Sequence, residues 1–314
     1  MTILIIMVLI CTALLFFLAV LFNMAFAPKR KHTDNPRRIP NDDQYGPIKQ
    51  LMLGHIDRLE GLKYEPVTVK SKEGLTLFGM YYERERKNII ELDFHGYRGN
   101  ALRDYCGGSV ISQKNGISSI IVHQRCHGKS EGRAITFGIK ERYDVLCWIK
   151  YVLERFGKDT RIILSGVSMG AATVLMASNL NLPKNVKCII ADCPYSSPEE
   201  IIRKVARDRH INDRVVYPFI RLSARLFAGI NLGEASAEKS VKETNIPILI
   251  IHGDDDRYVP YYMGKHIFEA CASQNKQMLT VNNAGHAISY FLETENYTKT
   301  VTDFVEAAIN EKTA

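Results

Sequence analysis

Between residues 3 and 22 every side chain is apolar except Cys11 and Thr12, and no charge appears before Lys29. About 20 such residues, rising about 1.5 Å each, cover a hydrocarbon layer of roughly 30 Å. The pattern predicts one transmembrane helix, with 1–28 as an anchor. The next stretch, 29–50, is rich in Asn, Asp, Pro and Arg and reads as a basic linker. Then the pattern changes. E-P-V-T-V-K from Glu65 and L-T-L-F-G-M from Leu75 alternate around a Lys-Glu-Gly turn, which predicts a hairpin.

Beyond the hairpin, short apolar runs alternate with longer helical stretches. The runs are 89–94, 119–122, 162–164, 188–191, 246–251 and 277–281. Between them, 139–156 places Tyr143, Val145, Leu146, Ile149, Val152 and Leu153 at helical spacing, and 171–180 and 290–309 also read as helices. Strands that are apolar on both faces, alternating with helices, are the sequence form of a parallel sheet covered on both sides. The predicted class is α/β, a mostly parallel sheet with helices on both faces, spanning 51–314. One stretch breaks the alternation. Residues 194–244 carry helical pattern (Ile201, Ile202, Val205; Val216, Phe219, Ile220, Leu222) and no strand. It predicts a small helical cap; the alternative is one long crossover with a broken helix.

Charge sharpens the reading of the amino end. Lys29, Arg30, Lys31, Arg37 and Arg38 crowd behind the apolar run with only Asp34 against them. The basic excess therefore belongs to a membrane flank, not to a nucleic-acid face. Positive charge on the carboxyl side alone places the following domain in the cytoplasm, at a single-pass cell-membrane anchor, with the extracellular face as the alternative. A cleaved signal peptide is the rival reading, since Ala25-Phe26-Ala27 has the small-x-small pattern. Against it, Pro28 would follow the cut, the run is long and its front lacks Lys and Arg. The seven cysteines are odd in number and scattered, with no C-x-x-C pair, which suggests neither a disulfide framework nor a zinc site.

The candidate chemistry sits on strand ends. R-I-I-L-S-G-V-S-M-G-A-A from Arg161 is a strand, a tight turn and a small-residue helix start. G-x-S-x-G in that setting is a nucleophile elbow with Ser168 at its tip. A serine hydroxyl needs a base, and here base and acid are expected on later strand-end loops. The run 246–251 is followed by H-G-D-D-D-R-Y-V-P, which puts a carboxylate at the edge where the elbow lies. His286, in N-A-G-H-A, is the one histidine after the final strand and is the candidate base. The strand 89–94 ends in His95-Gly96, so the N–H of Tyr97, with that of Met169, is placed to hold an oxyanion.

With these pieces placed, the chain from about Tyr64 to Ile309 resembles the α/β-hydrolase superfamily. It looks closest to bacterial membrane-anchored members of the serine-aminopeptidase-like and lysophospholipase-like group. The resemblance rests on H-G-Y-R-G, Q-R-C-H-G-K-S-E-G, G-V-S-M-G, H-G-D-D-D-R-Y-V-P and G-H-A, in that order. It implies that the acid of the H-G-x-x-D-x-x-V-P pattern is Asp256, with Asp254 next, Asp255 after it, and Asp192 as an alternative used by some relatives. One position departs: the segment before H-G-x-S usually opens with Asp, and here that residue is His123. Arg125, His127 and Ser130 read as loop braces, His252 as packing beneath the acid loop and Trp148 as core.

The expectation is a serine hydrolase acting on carboxylic esters, lipid acyl esters among them, through an acyl-Ser168 intermediate. No metal or organic cofactor is implied. The alternatives are acyl transfer or peptide cleavage by the same triad, and a non-catalytic membrane-tethered scaffold, against which an intact triad argues.

Overall fold

The computed structural model describes residues 1–29 and 34–310. Arg30 and Lys31, two of the cations behind the apolar run, lie outside the described residues, as do 311–314.

Eight strands form one sheet. β1 (Glu65–Lys70) and β2 (Thr76–Tyr82) make the expected hairpin, with Glu65 opposite Tyr81 and Lys70 opposite Thr76. β2 also runs antiparallel to β4 (Ile117–His123), and the later pairings are parallel. β3 (Arg86–Phe94) lies between β4 and β5 (Arg161–Val167). β6 (Val186–Asp192), β7 (Ile248–Gly253) and β8 (Lys276–Val281) follow, so the spatial order is 1-2-4-3-5-6-7-8. The apolar runs of β3 to β7 became interior strands, with Ile162, Ile163 and Leu164 all fully buried, while the run at 277–281 became β8 at the sheet edge.

The helices begin with α1 (Thr2–Phe26), α2 (Lys49–Glu60), α3 (Ala101–Tyr105), α4 (Gly108–Lys114), α5 (Glu141–Phe156) and α6 (Met169–Ala177). After them come α7 (Pro198–Asp208), α8 (Asp213–Ala228), α9 (Ala237–Ser240), α10 (Tyr261–Ala270), α11 (Ser289–Leu292) and α12 (Thr294–Asn310). On one face of the sheet Trp148, Val145 and Val152 of α5 and the small residues of α6 pack over Ile90, Leu92 and Leu164. On the other, α2, α4 and α12 bring Ile56, Ile111 and Val305 against Ile89, Ile121 and Ile163. The stretch 194–244 holds α7, α8 and α9 and, among the described residues, no strand.

α1 is long and apolar enough to cross a membrane. Its carboxyl end is also part of the body. Leu18 and Phe26 are buried, and the Phe26 ring meets Phe137 edge-on at 5.7 Å. The free carbonyls of its last turn are taken up. The Arg98 guanidinium donates to the carbonyls of Met24 and Ala27 at 2.9 Å each, and Tyr97 Oη donates to that of Ala25 at 2.7 Å. A cation on the exposed carbonyls of a helix end satisfies both their hydrogen bonds and the helix dipole. The second half of the stretch read as linker is likewise seated, since Ile39, Tyr45 and Ile48 are buried.

One strand residue works against stability. Asp93, on β3, is buried with Oδ1 lacking a partner among the described residues, and burial, then the nearby Glu91, pushes its carboxyl well above the usual range. A raised acid contributes stability at low pH that is lost as pH rises. Asp93→Asn is therefore expected to raise the unfolding free energy at pH 7 by on the order of 1 kcal/mol. Denaturant melts at pH 7 and at pH 4 check this: the gain should shrink at the lower pH.

Candidate active site

Ser168 stands between β5 and α6 in a conformation that non-glycine residues rarely adopt, with φ 55° and ψ −113°. Such a backbone costs on the order of 1–3 kcal/mol and persists only where its surroundings hold it. Here its N–H donates to the Asp192 carbonyl at 2.8 Å and its own carbonyl accepts from Ala172 at 3.0 Å. The flanking glycines are required by close approach. A Cβ on Gly166 would strike the Gly170 and Ala171 backbone, and one on Gly170 would strike the Phe94 carbonyl.

His286 lies on the loop after β8 and Asp256 on the loop after β7. His286 Nε2 is 3.0 Å from Ser168 Oγ, and His286 Nδ1 is 2.7 Å from Asp256 Oδ2. Asp256 Oδ1 accepts the backbone N–H groups of Tyr258 at 2.9 Å and Val259 at 2.8 Å, so both carboxylate oxygens are engaged. Burial favours the neutral acid, but the charges and hydrogen bonds of His286 and His252 outweigh it and hold Asp256 below its ordinary range. Burial likewise opposes charge on His286, yet the Asp256 carboxylate raises its pKa. His252 is fully buried; its Nε2 lies 2.8 Å from the Val259 carbonyl and 3.5 Å from Asp256 Oδ2, so the carbonyl is its primary partner.

The other acids are occupied elsewhere. Asp254 Oδ1 accepts the Asn283 N–H at 2.6 Å, and Asp255 pairs with Arg257 at 3.1 Å. Asp192 accepts from Tyr297 Oη at 3.0 Å, and burial raises it to about 6.

The oxyanion side comes from the loop after β3. Gly96 is close enough to the elbow that a Cβ there would lie 3.3 Å from Ser168 Cβ. The N–H groups on either side of Tyr97 are used: Gly96 donates to Asp104 Oδ2 at 2.9 Å and Arg98 to His127 Nε2 at 3.0 Å. The Tyr97 N–H and the Met169 N–H have no acceptor among the described residues. Beneath the loop, His95 Nε2 accepts the Gln124 N–H, which leaves Nδ1–H to donate to the Gly96 carbonyl. His127 does the same between Arg98 and the Arg125 carbonyl. Arg125 makes a buried two-pronged pair with Asp144 at 2.7 and 2.8 Å, and Ser130 Oγ accepts the Phe78 N–H. These residues brace the loop, and Trp148 is core. At the departing position, His123 Nδ1 accepts the Lys129 N–H at 3.1 Å.

The arrangement supplies a hydroxyl, an acceptor for its proton, a carboxylate holding that acceptor's other nitrogen, and two free N–H groups. That is the set of parts acyl transfer through serine requires. A metal is the other reading of part of it, because Cys193, Asp256 and His286 place ligand atoms within 4.8 Å of one another. Burial, then Asp192 and Asp256, pushes the Cys193 thiol well up, whereas a metal needs a thiolate. The other two donors already face each other and Ser168.

The profile of the prolyl oligopeptidase family matches residues 136–312, more than half of the chain and the part that holds Ser168, Asp256 and His286. The chain belongs to the prolyl oligopeptidase family. Its fold is that of the α/β-hydrolase superfamily. Among curated relatives, the family member is similar to the uncharacterized protein YqkD of Bacillus subtilis, with 26% identity over 61% of this chain and 63% of that one. It is also similar to the thiohydrolase aneE of Aspergillus aculeatus, with 28% identity over 57% of this chain and 54% of that one. The matches thus span less than two thirds of both relatives. Among solved structures, an esterase of Pyrococcus furiosus superposes with a TM-score of 0.64 at 20% identity, covering 89% of this chain and 99% of that one. The esterase Est1E of Butyrivibrio proteoclasticus with ferulic acid bound gives 0.59 at 19% identity, over 78% and 100%.

Sequence reasoning missed the residues that hold the loops from the front of the chain. Tyr45 Oη donates to the His286 carbonyl at 2.7 Å, and Gln44 Nε2 donates to the Asp255 carbonyl at 2.7 Å. Tyr258 Oη reaches Asp42 at 2.8 Å, and Arg257 pairs with Asp43 at 2.7 Å. The one local signal was an aromatic residue inside a polar stretch.

Proposed function

We propose that this family member is a membrane-anchored serine hydrolase of carboxylic esters, with Ser168 as nucleophile, His286 as base and Asp256 orienting the base. The observation that carries the reading is the chain of contacts Ser168 Oγ–His286 Nε2 at 3.0 Å and His286 Nδ1–Asp256 Oδ2 at 2.7 Å. Ser168 Oγ attacks the ester carbonyl while its proton passes to Nε2. The N–H groups of Tyr97 and Met169 receive the oxyanion, and one such donor is worth about 2.7–4 kcal/mol. Collapse expels the alcohol, which takes the proton from Nε2. Water, activated by the same nitrogen, then releases the acid and restores Ser168.

The esterase names among the structural neighbours and the thiohydrolase name of a relative support ester or thioester substrates. α1 serves as the anchor, with the site on the cytoplasmic side and lipophilic acyl esters as its substrates. The family's own name supports a second reading, cleavage of peptide bonds after proline, by the same groups.

The test is the full-length protein against a panel of p-nitrophenyl esters and a prolyl p-nitroanilide, with labelling by a fluorophosphonate. Ester turnover that labelling abolishes supports the reading, and turnover of the anilide alone replaces it with the second. The pH profile is a further expected outcome. The base must be neutral to take a proton, so kcat/KM should fall as pH drops through an apparent pKa above the ordinary histidine value of about 6.5. In Asp256→Asn the residual activity should show that midpoint moved lower.

A further inference from the structure

The cap helix α8 has two apolar sides, and the core uses one of them. Tyr217, Ile220 and Ala224 point inward and are buried. Val215, Phe219, Leu222 and Leu226, spaced by four, three and four residues, form a second stripe along the helix. Leu226 is 54% exposed, Phe227 beside it 44%, and Val215 and Leu222 are exposed as well. Lone exposed apolar residues are ordinary on a soluble surface, but a continuous stripe is not.

This stripe continues onto α1. Phe219 meets Phe17 edge-on at 5.6 Å, and Phe227 meets Phe22 at 5.4 Å. The contacts occur in the same order along both helices, so α8 runs beside the carboxyl end of α1. The depth of α1 in a bilayer then fixes the depth of α8. Burial against the body begins at Leu18 and the first ring contact is at Phe17, so 2–16 stand exposed before it. Those fifteen residues reach about 22 Å, short of the roughly 30 Å hydrocarbon layer. A complete span therefore takes in the next turn of α1 too, which is the level of Phe219 to Phe227. Arg221 and Arg225 on the same helix are exposed beside the stripe, and cations flanking an apolar stripe are what an interfacial helix carries.

We propose that α8 lies in the membrane interface beside α1, its Leu222, Leu226 and Phe227 side chains among the upper acyl carbons, so that the cap rests on the lipid surface. This rests on the reading of α1 as a membrane span. The occupant is the bilayer itself, because the stripe is continuous with the helix that crosses it and is flanked by arginines.

The test uses the full chain in vesicles of phosphatidylcholine and phosphatidylglycerol whose acyl chains carry bromine, which quenches tryptophan on contact. Trp148 is the chain's only tryptophan and is buried, so the parent protein supplies the background. Leu226→Trp and, as an independent probe, Leu222→Trp should each lose most of their added emission, more with bromine near the headgroups than at the chain ends. Leu9→Trp, midway along the exposed stretch of α1, should respond most to deep bromine. Lys265→Trp, on α10, should stay bright. If Leu9→Trp is quenched and both α8 probes are not, the proposal falls while the anchor stands. If none is quenched, the anchor reading falls and takes the proposal with it. Quenching of Lys265→Trp, or α8 emission that follows protein density rather than bromine, also overturns it.

Discussion

Ser168→Ala is expected to lower ester turnover by about 10⁴–10⁶-fold while the protein folds as before. The side chain is small and its removal leaves the elbow's backbone contacts to Asp192 and Ala172 intact. His286→Ala should cost about as much, because neither group acts without the other. The double variant should then be no slower than either single one, a non-additivity that independent contributions would not produce. Circular dichroism melts, fluorophosphonate labelling and kcat/KM for one ester across the three variants check this together. Turnover within tenfold of the parent in Ser168→Ala would assign the nucleophile elsewhere.

The second large effect separates the acids. Asp256→Asn should lower kcat by about 10⁴-fold, since an amide in that place no longer holds His286 in the tautomer that leaves Nε2 free to accept a proton. Asp254→Asn, Asp255→Asn and Asp192→Asn should each stay within about tenfold, because their partners are Asn283, Arg257 and Tyr297. Rates measured on the four variants with one ester decide the assignment. A larger loss in Asp254→Asn than in Asp256→Asn would reverse it.

Much of this arrangement was legible before any coordinates. The interior strands β5, β6 and β7 announce themselves because a strand covered on both faces is mostly apolar, whereas β8, at the sheet edge, is only partly buried and carries Lys276, Gln277 and Thr280. The elbow is legible for a related reason: only glycine fits where Gly170 meets the Phe94 carbonyl, so the pattern around Ser168 is forced by contact. Three consecutive aspartates are harder. Spacing leaves Asp254, Asp255 and Asp256 equivalent; the resemblance singled out Asp256, and the fold turns that carboxylate inward under the two backbone N–H groups of Tyr258 and Val259.

Three features left little readable trace. α1 is apolar on every side, so nothing in its sequence separates the residues left exposed from Phe22 and Phe26, which meet protein. The apolar residues of α8 divide between body, α1 and the outer surface, a split that helical spacing alone does not show. Asp42 to Tyr45 read as linker because polar residues dominate there, and their partners lie more than two hundred positions away.

That separation bears on how the molecule assembles. The hydrogen bond from Tyr45 to His286 ties together positions 241 residues apart. Closing a flexible loop of that length costs roughly 5 kcal/mol in chain entropy, far more than one hydrogen bond returns. The tie therefore forms only after β1 to β8 have drawn the two ends together. The front of the chain is synthesised first, yet it finishes its task last, as the clasp that sets the imidazole once the sheet behind it exists.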